Sequence, residues 1–546
     1  MRKDISGWNT RLTDEMVERY TREGGWKNAT LAESAIERAK RHRGRVDVEE
    51  GHRKSGFFEL LATAKRLADA LAKMGLKPGD VISFQLPNWT ETMSINLAAC
   101  LGGYICNPIV PIYRDAEVHF ILRDARSKVL FIPESFRNFD YIAMARRLRP
   151  QLPDLIDVVV LRGAEHEYRA FDEMLACGAE TYNTAIPDAN SVKLLLYTSG
   201  TTGNPKGVLH SHNTLMAELA AVVGYWNVSQ DDVILMPSPV THITGYLYGL
   251  ELGFVTGAKV VLMERWDAGE AVDLVQQHGV TLSIGATPFL AELVTETERR
   301  QVTLPSMRLF GCGGAPVAPE LIRRANTLLP NCVVSRIFGS SEAPTVTLGV
   351  NSRDEQDFGA ATDGRIVNHE VRIIEAATGA PLPEGAEGEI VTRGPEVMLG
   401  YTDWAETLKA FDSDGYFHTG DSGYRSHGDF ITISGRIKDL IIRGGENLSP
   451  KDIEDALHLH PAVRDVAVVG MPHDRLGETP CAFVELMTGH SLDLAEVTRF
   501  LESARIARQK FPEKVVIVDE LPRTASGKIR KQILRSQAKE IFAGGE

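Results

Sequence analysis

The segment Tyr197–Gly207 reads Tyr-Thr-Ser-Gly-Thr-Thr-Gly-Asn-Pro-Lys-Gly. It sets three hydroxyls (Ser199, Thr201, Thr202), three glycines (Gly200, Gly203, Gly207) and Lys206 into one short stretch. Glycines let backbone N–H groups approach an anion, and hydroxyls and an ammonium add donors. An apolar run, Leu194–Leu196, precedes the stretch and reads as the end of a buried strand; His212–Val223 follows and reads as a helix. The expectation is a strand-to-helix turn that holds phosphate. The same composition also suits a plain glycine-rich surface turn. It is not a Walker A loop: counting from Gly200, Pro205 stands where the second glycine belongs, and Gly207 follows Lys206 where Ser or Thr is required.

Other polar clusters interrupt the apolar pattern. Gly311-Cys-Gly-Gly-Ala-Pro316 offers small residues against which a flat ring can lie. In Phe338-Gly-Ser-Ser-Glu342, Glu342 suits a Mg²⁺ that bridges phosphates, and Phe338 suits either stacking on a base or core packing. His418-Thr-Gly-Asp421 carries a carboxylate that suits ribose hydroxyls or, equally, a turn. Arg436 follows Gly435, and Lys528 closes Leu521-Pro-Arg-Thr-Ala-Ser-Gly-Lys528, where a lone lysine would ordinarily be a solvated charge.

These segments need a scaffold, and the chain supplies an alternating one. Strands are expected at 81–85, 105–109, 129–132, 158–161, 233–236, 259–263, 281–284, 308–311 and 333–338, with helical patterns between them. Such a rhythm implies an α/β fold of doubly wound, mostly parallel sheets, with ligands at the carboxyl ends of strands. The first few dozen residues are polar and are expected to wrap the surface. From about Val371 short strands and Gly/Pro/Asp turns indicate a β-rich subdomain. After the bridge Gly435–Asp439 a small α+β pattern restarts. The expected division is a large N-terminal domain (1–435), a hinge (436–439) and a small C-terminal domain (440–546).

A chain of 546 residues exceeds a single core. A 43% hydrophobic and 24% charged composition is that of a globular protein, and a net charge of −13 argues against nucleic acid or an anionic membrane surface as partner. The six cysteines form no C-x-x-C pair, which points to buried reduced thiols and a cytoplasmic setting. No apolar run approaches membrane-spanning length, and the start lacks an apolar signal core.

Taken together, the chain resembles the AMP-forming adenylate synthetases: acyl-CoA synthetases, peptide-synthetase adenylation domains and luciferases. The resemblance runs from roughly Leu31 to Ile533 and rests on Tyr197–Gly207, Phe338–Glu342, His418–Asp421, Gly435–Pro450 and Pro522–Lys528 in family order. Ile442–Asn447, Gly470–Glu478 and Ser283–Pro288 look like the branch of short-chain and alicyclic acyl-CoA ligases, such as cyclohexanecarboxylate–CoA ligases. The resemblance implies two half-reactions: ATP adenylates a carboxylic acid, and the CoA thiol then displaces AMP. ATP, Mg²⁺ and CoA are the implied cofactors. Thr198, Ser199, Gly200, Thr201, Thr202, Gly203 and Lys206 would hold phosphates. Gly313, Gly314, Ala315, Pro316, Phe338, Gly339, Ser340 and Ser341 would surround the nucleotide, with Asp421 and Arg436 at the ribose. Glu342 would bind Mg²⁺, and Lys528, Glu342 and Arg436 would be the catalytic set.

The resemblance further implies that the small domain is mobile about Lys438. Its rotation would bring Gly444, Gly445 and Glu446 to a CoA tunnel. His242, Gly245, Gly285, Thr287, Gly311 and Ala343 are the candidate acyl-pocket residues, mostly small or weakly polar, which favours a compact apolar acid. His242 is equally readable as a structural histidine. Two residues depart from the family pattern: Phe338 stands where Tyr is usual, and His418 where Tyr, Arg or Lys is. Transfer to a carrier-protein thiol, a non-catalytic nucleotide-binding role and assembly as a homo-oligomer stay open at this stage.

Overall fold

The computed structural model describes residues 2–163, 167–182, 187–198, 205–315, 317–443, 446–504, 506–523 and 528–543, with the side chains of 446 and 447 also outside the description. Two large sheets form the body. One has eight strands, in the order Arg169–Ala170, Asp157–Leu161, Val129–Pro133, Val81–Phe84, Ile105–Pro108, Val192–Thr198, Lys206–Ser211 and Gly400–Tyr401. It is parallel as far as Val192–Thr198 and antiparallel beyond. The other has seven strands, running from Val333–Ile337 through Leu309–Gly313, Leu282–Gly285, Val233–Met236, Lys259–Leu262 and Val48–Glu50 to Arg53–Ser55, all parallel except the last pair.

The helices owe their places to their apolar stripes. Phe57–Lys73 buries Leu60, Leu61, Ala64, Leu67, Ala68 and Leu71, a one-face spacing. Thr30 and Glu33 form a reciprocal cap at the start of Leu31–Arg41. The main core joins both sheets, with Phe84, Leu97, Leu194, Met236 and Tyr246 in one apolar cluster.

A four-stranded antiparallel sheet, Glu370–Ile374, Gly388–Arg393, Phe417–Ser426 and Phe430–Arg436, follows. The last sheet draws all its strands from residues 441–518, with Lys514–Val518 parallel to Gly477–Leu486. Among the described residues no helix is long and apolar enough to cross a membrane.

Two expectations need correction. The turn at Tyr197–Gly207 does not lead directly into a helix. Lys206–Ser211 is a strand, antiparallel to Val192–Thr198 with Thr198 opposite Lys206, and only then does Ser211 cap the helix His212–Trp226. Val208 and Leu209 each bury against a different core, one on either face of the sheet, which is what makes this short run a strand. Gly207 must be glycine, because a Cβ there would lie 2.7 Å from Thr402 Cγ2 and 2.8 Å from Leu195 Cδ1. The N-terminal residues also do more than wrap the surface: Trp8, Leu12, Tyr20 and Trp26 are buried. Of the six cysteines, Cys177 alone is exposed.

Candidate active site

Glu342 follows the edge strand of the seven-stranded sheet and meets the edge of the eight-stranded sheet at Tyr401. Strand Val333–Ile337 ends at Phe338, whose N–H donates to Thr347 Oγ1 at 2.8 Å. Gly339 then passes so close to the returning chain that a Cβ would lie 1.9 Å from Pro344 O. Ser340 Oγ accepts the N–H groups of Glu342 (3.2 Å) and Ala343 (3.3 Å), closing a tight turn. Ser341 O accepts from His210 Nε2 at 2.7 Å, and burial lowers the His210 pKa to about 4. Glu342 is fixed twice: Tyr401 OH donates to Oε1 at 2.9 Å, and Met398 N–H donates to the Glu342 carbonyl at 2.8 Å. An oriented carboxylate partly open to solvent fits a Mg²⁺ held together with phosphate oxygens and water. Phe338 is half-buried against the β-rich core.

Asp421 and Arg436 face each other across two strands, with Arg436 Nε 3.0 Å from Asp421 Oδ1. Burial raises the Asp421 pKa against the pull of Arg436 and Lys528. Lys206 Nζ is 2.5 Å from Glu406 Oε2 and lies 5.2 Å from the Tyr401 ring centroid. The Lys206 and Lys409 ammoniums hold the Glu406 carboxyl down to about 2. Thr198 and Lys206 stand at the root of the phosphate-loop candidate; Ser199, Gly200, Thr201, Thr202 and Gly203 lie outside the described residues, as do Pro316, Gly444 and Gly445. Glu446 opens a short strand paired with Ile441–Arg443.

Lys528 enters this group from the far end of the chain. Its Cε lies 4.0 Å from where a Cβ on Gly314 would sit, and Gly314 has φ +81°. Gly313 is equally constrained, 2.4 Å from Ile337 O by the same measure, and Ala315 is half-buried beside them. Crowding by protein atoms and then Arg436 lower the Lys528 pKa, while Asp421 and Glu342 raise it. Water still reaches much of the side chain, so Lys528 stands in a cleft rather than a closed core.

The residues expected around the acyl group differ in kind. His242 Nε2 is buried with no hydrogen-bond partner among the described residues. Burial, and secondarily Lys528, lower its pKa to about 4, so the imidazole is neutral at pH 7. A Cβ on Gly311 would lie 3.4 Å from both Trp226 Cη2 and Ile337 Cδ1, and one on Gly285 would lie 2.8 Å from Phe289 Cδ2. Thr287 begins the helix Thr287–Arg300. Two further expected pocket residues are tightly packed. Ala343 is 1% exposed in the β-rich core with Val208, Val346 and Ile390. Gly245 presses on backbone, 2.1 Å from Pro239 O by the Cβ measure. Each owes its small size to packing there.

The bridge Ile437–Asp439 is one turn of 3₁₀ helix. Arg535 donates to Lys438 O at 3.3 Å and pairs with Asp439 at 2.5 Å, fastening the bridge to the helix Lys531–Ala543. His418 Nδ1 lies 3.1 Å from Glu389 Oε2. Motif reading missed Tyr401, Glu406, Trp226 and Phe289. None sits in a polar or glycine-rich cluster, so only three-dimensional contact reveals them.

Residues 36–402 match the AMP-binding enzyme family and residues 452–528 match its C-terminal domain, so the chain belongs to the AMP-binding enzyme family. It is an AMP-forming acid–thiol ligase, and such ligases use ATP, Mg²⁺ and CoA. It is 34% identical over 523 residues to the medium-chain fatty-acid–CoA ligase of Escherichia coli K12, covering 94% of this chain and 92% of the relative. It is 28% identical to the vibriobactin-specific 2,3-dihydroxybenzoate-AMP ligase of Vibrio cholerae, covering 98% of both. Its structure is similar to ATP-bound MatB from Rhodopseudomonas palustris, with a TM-score of 0.84, 28% identity, and 94% of this chain and 100% of that one covered.

Proposed function

We propose that the chain converts a small apolar carboxylic acid to its acyl-adenylate and then transfers the acyl group to CoA. The observation that carries the reading is Lys528, delivered by the segment after the last sheet to a position beside Gly314, in the electrostatic reach of Glu342, Asp421 and Arg436. In the first half-reaction a carboxylate oxygen bonds to the α-phosphorus of ATP as the bond to pyrophosphate breaks, the leaving group taking the electron pair. Negative charge grows on the phosphate oxygens, and a cation already in place lowers that barrier without rearrangement. Lys528 would supply that charge, worth on the order of 10²–10³ in rate.

Glu342 would hold Mg²⁺, which neutralises phosphate charge when bound. Asp421 would hold the ribose, and Lys206 with the loop 198–203 would clamp the departing pyrophosphate. Lys206 would then exchange Glu406 for phosphate. In the second half-reaction the thiol sulfur attacks the acyl carbon, AMP leaves and the thiol proton is lost. The hinge at Lys438 and the tunnel at Gly444, Gly445 and Glu446 belong to this step. The domain limits 1–435, 436–439 and 440–546 are part of the same reading.

Neutral His242 with Trp226, Ile337 and Phe289 supports an uncharged, compact acyl group. The E. coli medium-chain ligase supports CoA as acceptor. A carrier-protein thiol is the second reading, supported by the 2,3-dihydroxybenzoate-AMP ligase. The test is AMP release with CoA, and pyrophosphate exchange without it, across acids of graded size. CoA-dependent AMP release with a compact apolar acid is expected. Exchange without CoA-dependent turnover would favour the carrier, and no exchange with any acid would leave a non-catalytic nucleotide binder.

A further inference from the structure

The N-terminal arm, residues 2–28, precedes the residues that match the family, yet Arg11 from it reaches the segment that contacts Glu342. We propose that Arg11 is a positioning residue for Glu342, acting through the segment 397–401, and thereby for adenylation. The proposal rests on the role given to Glu342 above.

Arg11 occupies three successive carbonyls of that segment. Its backbone N–H donates to Leu399 O at 2.9 Å, Nε donates to Met398 O at 2.7 Å, and an Nη donates to Val397 O at 3.1 Å. The guanidinium carbon lies 4.7 Å from the Phe411 ring centroid. Loss of hydration lowers the Arg11 pKa to about 10, so the half-buried group is a cation at neutral pH, and among the described residues no carboxylate forms an ion pair with it. Drawing a cation even partly out of water without a carboxylate partner is costly, whereas a long apolar side chain would fill the same space. What arginine adds is a rigid fork of donors.

The opposite edge of the segment is engaged by the active site. Met398 N–H donates to the Glu342 carbonyl (2.8 Å), and Tyr401 OH donates to the Glu342 carboxylate (2.9 Å). Leu399 N–H donates to Leu209 O (2.7 Å), and Gly400 and Tyr401 pair with the strand that starts at Lys206. The start of the segment has its own anchors: Trp26 Nε1 donates to Pro395 O (2.8 Å), and Glu396 accepts from Asn368 (2.5 Å) and faces His369 Nε2 (2.7 Å). Releasing Arg11 therefore frees the middle of a segment whose other edge sets both the main chain and the carboxylate of Glu342. Misplacing a catalytic group by a fraction of an ångström lowers rate without unfolding the protein.

The test compares Arg11→Met and Arg11→Lys with wild type and with Glu342→Ala, reading the Mg²⁺ dependence of pyrophosphate exchange, thioester formation from supplied acyl-adenylate, and melting temperature. Arg11→Met is expected to lower exchange about tenfold and raise the Mg²⁺ needed for half-maximal exchange about threefold or more, with thioester formation changed less than about twofold. Arg11→Lys, which keeps the charge but not the planar fork of donors, is expected to fold and to show a smaller shift of the same kind. An unchanged Mg²⁺ requirement in both variants, or equal loss of both half-reactions, overturns the proposal. If Glu342→Ala exchanges like wild type with the same Mg²⁺ dependence, the role of Glu342 fails and this proposal fails with it. If Glu342→Ala loses exchange while Arg11→Met keeps it, the proposal alone fails.

Discussion

The two sides of the cleft are built by different means. On the proposed nucleotide side charged groups are fixed by specific partners: Glu342 by Tyr401, Asp421 by Arg436, Lys206 by Glu406. On the proposed acyl side, glycines stand against Trp226, Ile337 and Phe289, and His242 is neutral. Charge placement has few solutions once phosphate and metal must be bound, so it leaves a recognisable signature. An apolar wall has many solutions of equal volume, and its selectivity rests on a methyl group here or there, worth about 1–3 kcal/mol. This is why the class of reaction is readable and the identity of the acid is left to the panel of acids.

The largest expected contrast between the two substrates comes from Asp421→Ala. It removes the carboxylate opposite Arg436, and kcat/KM for ATP is expected to fall by about 10², with KM for the acid moving less than about threefold. Equal shifts for both substrates would erase the distinction between the two sides. Gly311→Ala makes the reciprocal test. Its added methyl would stand 3.4 Å from Trp226 and Ile337, tight but accommodable. About tenfold loss is expected with the bulkiest accepted acid, little with the smallest, and none in KM for ATP. A uniform loss across acids would place Gly311 in packing alone.

The smallest effect probes the support behind the nucleotide side. Glu218 and Glu396 are both buried, and burial raises both carboxyl pKa values, Glu396 to about 8. Raised acids bind more protons folded than unfolded, so their stabilisation is complete below the unfolded pKa of about 4.3 and is lost as pH rises through about 8. Wild type is expected to melt several degrees lower at pH 8.5 than at pH 6, and Glu396→Gln, neutral throughout, to show about half that drop or less. Thermal scans at the two pH values decide it; identical drops would mean that Glu396 does not titrate in this range.

How much of this was legible in the sequence follows the same division. Periodicity located strands such as Val81–Phe84, an apolar run buried on both faces, and helices such as Phe57–Lys73, which bury one apolar face. It merged Lys206–Ser211 into a turn, since a six-residue strand between a glycine-rich loop and a helix has too little pattern of its own. Lys528, Glu342, Asp421 and Arg436 stood out as charges in small-residue settings. Ala343 and Gly245 are small and closely packed, and smallness in a sequence does not distinguish a cavity wall from a close backbone contact. Arg11 and Tyr401 were silent: Arg11 meets its carbonyl partners 386 and 387 positions away, and a polar side chain near the N-terminus carries no local sign of such a partner.

The central claim is that one lysine, arriving from the C-terminal segment, serves adenylation and not thioester formation. Single-turnover measurement of Lys528→Ala in each half-reaction tests it directly. Pyrophosphate release from ATP and acid should fall by about 10²–10³, while thioester formed from supplied acyl-adenylate and CoA should proceed within about twofold of wild type. Equal loss in the two half-reactions, or adenylation at the wild-type rate, would contradict the account.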